Sequence, residues 1–337
     1  MTVRNLIAVG GRPSTTAPTL SPGGVNDRRS FRWTDLTVYI GFVLVFAFFA
    51  LTTADKGFLT VQNATSIVTA VTPIALMAFG AVFVLTAGEI DLSIGSVVAL
   101  SALVTALGLR HFGLVGGVVC GLAIGVGTGL LNGLLIVGLR VPSFLITLGT
   151  MQLFSGIAQM STQLQDVPIL NPTYNTLFGS GMVGPVSDAV VWLLAGFVVA
   201  QIAYRNLAFG WRVMATGSDR RSARALGINT RRVRVAVMLI SSLTAALAGM
   251  IYAGEVQGAV YTLGSNDLLT VLAGVVIGGT SLFGGTGSIF GALLGAILMA
   301  MIVNGLVLMG ATVQQQIVVQ GIIIVVAVAV SQRQPAE

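Results

Sequence analysis

The chain has 337 residues, of which 55% are hydrophobic and 8% charged, and its mean hydropathy of +0.94 excludes an ordinary soluble domain. A lone lysine (Lys56), a lone histidine (His111) and a lone cysteine (Cys120) exclude in turn a phosphate-binding P-loop, a histidine relay or metal site, and a disulfide framework. The net charge of +6 would point to nucleic acid in a soluble protein, but here the placement of the basic residues accounts for it.

Residues 1–35 are rich in Pro, Gly, Ser and Thr, carry Arg4, Arg12, Arg28 and Arg29, and hold no apolar run beyond LIAV. They read as an uncleaved, disordered cytoplasmic tail. From there to residue 331 the sequence is a succession of apolar runs, each near the roughly 20 residues needed to cross a bilayer. Breaks between runs place spans near 36–52, 61–87, 93–109, 114–137, 143–160, 188–204, 233–254, 267–281, 287–309 and 313–331. The expected fold is therefore an all-α polytopic membrane domain of about ten helices over 36–331, closed by a short cytoplasmic tail, 332–337. The 43 glycines suit helices packed closely in lipid.

Pro73, inside the second run, predicts a kink. After that run comes GEIDLSIGS, with Glu89, Asp91 and Ser93; Asp91 stands where a helix N-cap would. NGLLIVG at 132–138 closes the fourth run and NGLVLMG at 304–310 closes the ninth. Five spans separate the two, and an odd offset reverses direction, so the echo predicts an inverted repeat. In the fifth run Gln152, Ser155, Gln159 and Gln163 share one face, and amides can meet a hydroxylated neutral solute without burying charge. Bonding between packed helices would use the same residues.

The segment 161–187 is the longest external loop, and 205–232 the one sizeable cytoplasmic loop. The latter reads WRVMATGSDRRSARALGINTRRVR, with Ser218 or Asp219 able to cap a two-turn helix, Asp219 to Leu226, that Gly227 ends. Ala223 and Leu226 would form an apolar i, i+3 contact on it. A lipid-facing basic loop is the plainer reading; a helix docking on a soluble partner is the sharper one. Farther on, GGTSLFGGTGS, with Gly278, Gly279 and Thr280, reads as a tight turn between spans. With the N-terminus inside, 15 of the 17 basic residues are cytoplasmic, so both termini face the cytoplasm.

Four ordered segments resemble one family. ATGSDRRSARALGIN is similar to the cytoplasmic coupling loop of ribose/xylose/galactose-type permeases of ATP-binding-cassette importers. GEIDLSIGSVVALSA resembles their GGIDLSVGS motif, VVIGGTSLFGGTGSIFGALLGA their GGTSLxGGxGS segment, and NGLLIVGLRVPSFLITLGTM is similar as well. The resemblance covers roughly 88–330. It implies a ten-helix importer permease in the inner membrane, not an enzyme and without a cofactor of its own, ATP being bound by a partner. It further implies two ATPase subunits, an extracytoplasmic solute-binding protein, a second permease copy (the same chain or a paralogue), and a pentose, hexose or polyol as cargo. In this picture Ser218, Asp219, Ala223, Leu226 and Gly227 couple to the ATPase; Glu89, Asp91, Ser93, Gly278, Gly279 and Thr280 form structural or gating motifs; and Gln152, Ser155 and Gln159 line the path. One departure stands at the eighth span, where Asp267 matches the family's glutamate but Leu269 replaces its aspartate. The rival reading is an ion-gradient carrier with Glu89, Asp91, Glu255 and Asp267 as ion ligands; their positions near span ends make solvation or capping the simpler account. A passive channel would need polar stripes on several helices, and only one is present.

Overall fold

Each of the ten apolar runs is helical in the computed structural model, which describes residues 33–183 and 186–332. The calls on 1–32 and 333–337 lie outside those residues. The helices in chain order are α1 (Trp33–Thr52), α2 (Val61–Thr86), α3 (Ile94–Leu139), α4 (Ser143–Thr162), α5 (Pro172–Asn175), α6 (Asp188–Arg205), α7 (Ala208–Ser218), α8 (Arg220–Ala225), α9 (Thr230–Glu255), α10 (Asp267–Ile277), α11 (Ile289–Leu308) and α12 (Val313–Gln332). Among the described residues, five of them, α2, α3, α6, α9 and α11, are long and apolar enough by themselves to cross a membrane.

The centre is α2 against α9. From Val71 to Thr86 every residue of α2 is buried, and the helix runs unbroken through Pro73. Thr72 Oγ1 lies 2.8 Å from Val68 O and 3.1 Å from Ala189 O, so this buried hydroxyl bridges α2 to the start of α6. Small residues permit the closest approaches: a Cβ on Gly80 would stand 3.0 Å from Ser241 Cα, and one on Gly249 2.3 Å from Val98 O.

The third and fourth runs are one helix by hydrogen bonding but reverse at Gly113, whose φ of 70° and ψ of −168° are non-helical. The halves return side by side, with Gly108 facing Gly117 and Cys120, Gly121 facing Thr105, and the Ser101 hydroxyl donating to Gly121 O at 3.3 Å. The break in sequence pattern is thus a hairpin. The eighth run is shorter than expected: α10 stops at Ile277, and its 11 residues extend about 16 Å. Gly278 and Gly279 end it before the predicted residue 281.

The long segment after α4 is folded rather than open. Strand β1 (Val167–Pro168) pairs antiparallel with a later strand, Gly258–Ala259, in register Val167 to Ala259. Tyr174 is fully buried, its hydroxyl donating to Met250 O of α9 at 2.7 Å, and its ring stacks on Phe178, which stacks on Trp192 of α6.

Candidate functional site

Three loops that are far apart in sequence meet at one end of the α2–α9 pair. The first is the link from α2 to α3, Ala87–Ser93; the second is the end of α7 with Asp219 after it; the third is the turn from α10 to α11. They approach so closely that glycine is required. A Cβ on Gly217 would lie 1.8 Å from Thr86 O, and one on Gly284 would lie 2.8 Å from Gly217 O and 3.0 Å from Gly88 Cα. The amide of Gly285 donates to Thr86 O at 2.9 Å, tying the third loop to the end of α2. Thr280 is buried, its hydroxyl accepting from Ser288 N at 3.3 Å, and a Cβ on Gly278 would collide with Gly291. The tight turn expected there is therefore a packed one.

Glu89 is the charge at the centre of this junction. Its side chain is 2% exposed, its Oε1 accepts from Arg220 Nη2 at 2.7 Å, and Arg234 Nε contacts the same oxygen. Arg220 also donates to Gly88 O at 3.0 Å. Glu89 therefore joins the α2–α3 link to the first residue of α8 and the first turns of α9. Two cations around one buried carboxylate compensate its desolvation, which a single exposed partner would not. Solvation at a span end, the simpler account from sequence, is corrected for this residue.

Asp91 is buried too, and the expectation that it caps α3 is corrected: Ser93 holds the N-cap position, and Asp91 binds Ser93 instead. Oδ1 accepts from Ser93 N at 2.9 Å and Ser93 Oγ at 2.6 Å, and Oδ2 accepts from Ser241 Oγ of α9 at 2.8 Å. Asn132 Nδ2 donates to Ser93 Oγ at 2.9 Å, which brings the NGLLIVG echo into the same network. The start of α4 joins through Ser143 Oγ, which accepts from Ile90 N at 2.9 Å.

The arginine-rich loop contains more helix than its sequence indicated. Residues 208–218 form α7, which the capping pattern of the following helix concealed. Ser218 is its last residue and its hydroxyl donates back to Met214 O at 3.0 Å, so the cap of α8 is Asp219, which accepts from Arg221 N at 2.9 Å and Ser222 N at 3.2 Å. Gly227 takes a φ of +82° as expected of a terminating glycine. The expected Ala223–Leu226 apolar face is corrected: Ala223 is buried in the protein's own core, whereas Leu226 is 78% exposed. Leu226 is the C-cap, past the last helical residue Ala225, and does not share the buried side of Ala223, so of these two only Leu226 can meet a partner.

The fifth run's amides lie apart from this junction. On α4, Gln152 is exposed, Ser155 and Gln159 are half-buried with Gln159 Nε2 3.4 Å from Ser155 Oγ, and Gln163 leaves the stripe because it caps the helix with a φ of 51°. Among helices of the described residues α4 packs chiefly on α3, and Gln152 is the amide left exposed. Of the other acids, Asp267 accepts from the Tyr252 hydroxyl at 2.7 Å, and Glu255 ends α9. No cluster of metal-ligating side chains occurs among the described residues.

Residues 63–328 match the family described as branched-chain amino acid transport system / permease component. The chain is 34% identical over 284 residues to the ribose import permease protein RbsC of Bacillus subtilis, covering 84% of this chain and 88% of that one. It is 34% identical over 273 residues to the autoinducer 2 import system permease protein LsrC of Yersinia enterocolitica, covering 79% and 74%. With RbsC of Escherichia coli the identity is 32% over 288 residues, covering 84% and 89%. No solved structure matches the chain.

Proposed function

The chain belongs to the branched-chain amino acid transport system / permease component family, and from that membership we propose that it is the transmembrane subunit of an ATP-binding-cassette importer carrying a sugar or sugar-like solute inward. The observation that carries the reading is the junction at Glu89. A short helix with an exposed Leu226 and several arginines is fixed through Arg220 to the α2–α3 link, so force applied to α8 from outside the bundle would reach the two central helices directly. A loop that served only to orient the protein in lipid would have no need of a buried ion pair to the core. The partners of this reading are an ATPase docking on α8, an extracytoplasmic binding protein at the opposite end, and a second permease copy. Ribose-like pentoses head the cargo candidates, because two relatives are ribose import permeases.

The ten-span inverted repeat belongs to the same proposal. Its support is a matched pair of contacts: Asn304 exchanges hydrogen bonds of 2.9 and 3.1 Å with Asn63, while a Cβ on Gly133, beside Asn132, would lie 2.9 Å from Val235 Cα. The interval from Asn132 to Asn304 equals that from Asn63 to Val235, so the second half of α3 meets α9 as α11 meets α2. The amide face of α4, exposed at Gln152 and half-buried at Ser155 and Gln159, is assigned to a solute path against the second copy, because an exposed amide in lipid is unfavourable.

Reconstitution with the cognate ATPase and binding protein tests the reading. Uptake should require ATP inside the vesicle-equivalent of the cytoplasm and survive an uncoupler; collapse on uncoupling with ATP present would instead establish the gradient-driven carrier. In the same assay leucine at 152 or 159 should slow uptake with assembly intact, and an unchanged rate removes α4 from the path.

A further inference from the structure

The end of α6 and the start of α7 build a surface that the coupling through α8 leaves unused. Val191, Leu194, Val198 and Ile202 are exposed and recur every three or four residues along one side of α6, an apolar stripe on a helix long and apolar enough to cross a membrane. Arg205 follows Ile202 on the same line, in the last turn of α6, and is exposed. Only Asn206 and Leu207 intervene before α7, and both amides donate back to Ile202 O, at 2.9 and 3.2 Å. Gly210 closes the turn, since a Cβ there would collide with Tyr204 O. Helix α7 is thereby held against the last turn of α6, which brings Trp211 and Arg212 near Arg205.

One side of α7 is buried through Gly210, Val213 and Thr216, while Ala208, Trp211 and Arg212 are exposed on the other. Leu207 is 53% exposed and Trp211 52%, so these two extend the apolar stripe of α6 past its end. A tryptophan offers an apolar ring and a polar N–H, the combination that sits at headgroup level. A soluble partner cannot lie on the part of the stripe that α6 carries inside the bilayer, and lipid is the occupant continuous with both parts. Charge completes the match. Glu89 holds Arg220 and Arg234, but among the described residues Arg205 and Arg212 have no acidic partner. A guanidinium fork pairs two N–H groups with phosphate oxygens.

We propose that Arg205, Trp211 and Arg212 form a seat for an anionic glycerophospholipid, its phosphate on the two guanidiniums and its first acyl carbons along Leu207 and Ile202. Helix α7 then lies on the bilayer surface and leaves α8 to the soluble partner. The seat does not depend on which solute the importer carries.

The test is quenching of Trp211 by brominated lipid in the permease–ATPase complex held in nanodiscs, read as the difference between wild type and Trp211→Phe. The discs contain phosphatidylcholine and phosphatidylglycerol, with one or the other brominated. Brominated phosphatidylglycerol should quench Trp211 beyond its share of the bilayer, by a preference of about fivefold for each arginine. Arg205→Gln and Arg212→Gln should each lower that preference by about the same factor, and the double variant should make the two lipids equal. Both positions are exposed, so the variants keep the fold. Equal quenching by the two lipids in wild type overturns the anionic headgroup. A preference that survives the double variant overturns these residues as the seat. Quenching by neither lipid would put Trp211 against the ATPase or water and overturn the inference, while the importer reading, which uptake measures, would stand.

Discussion

A carboxylate taken out of water survives as an ion only where partners replace its hydration, and Glu89 shows how unequal those partners can be. Arg234 is 15% exposed and Arg220 36%, so the first is part of the interior and the second still borders solvent. Removing Glu89 strands Arg234, and breaking a buried pair costs about 3 kcal/mol or more. Arg220→Ala removes a half-solvated partner and should cost about 1 kcal/mol, with Arg234 continuing to neutralise the acid. Thermal unfolding of the purified permease checks the order: Glu89→Ala well below wild type, Glu89→Gln between, and Arg220→Ala near wild type. Coupling separates differently, since Arg220 is the tie to α8. Arg220→Ala should lower uptake per ATP hydrolysed more than it lowers stability, and equal loss in both would make the pair merely structural. None of this pairing was legible in the sequence, because Glu89 precedes Arg220 by more than a hundred residues and no local pattern joins them.

Among the elements, α8 is the one whose existence depends most on its ends. Six residues cannot hold a helix by propensity, so the cap at Asp219, the turn at Gly227 and the burial of Ala223 must hold it. Hydrogen bonds from the Ser222 hydroxyl and then from the amides of Arg221 and Ser222 keep the Asp219 carboxyl below the usual carboxylate range. A lowered value means the cap's contribution is complete above the unfolded pKa of about 3.9 and is lost as pH falls through the lower folded value. Hydrogen exchange at the Arg221 and Ser222 amides should therefore show pH-independent protection from pH 5 to 8. Asp219→Ala should abolish that protection and Asp219→Asn should retain most of it. Protection in the alanine variant equal to wild type would mean that packing of Ala223, not the cap, fixes α8. The sequence located this helix through its cap and glycine yet missed α7, because residues 208–218 begin after Leu207 with no side-chain cap and include two glycines, Gly210 and Gly217.

For the whole molecule, orientation is the property that the charge distribution predicts and the fold makes testable. Leu226 and Thr173 are both exposed, and lie on segments that the basic-residue bias assigns to opposite sides. In a Cys120→Ala background, an impermeant maleimide applied to intact cells should label Thr173→Cys and spare Leu226→Cys, with the reverse in inverted vesicles. Outside labelling at 226 would invert the topology and with it the assignment of α8 to an ATPase. The sequence by itself determined that this is a helical membrane protein, where its apolar runs begin and end to within a few residues, and which family its motifs belong to. Those are local properties: apolar length, caps, glycines and charge next to span ends act through neighbours in the chain. Only the tertiary structure decided that Glu89 is paired rather than solvated, that Asp91 bridges α3 to α9, that Ala223 faces inward, and that Gln152 of α4 is exposed while Gln159 is half-buried. Each of those depends on which helices are neighbours, and helix neighbours are set by the fit of small residues across α2, α3 and α9, a contact between distant stretches that no window along the sequence contains.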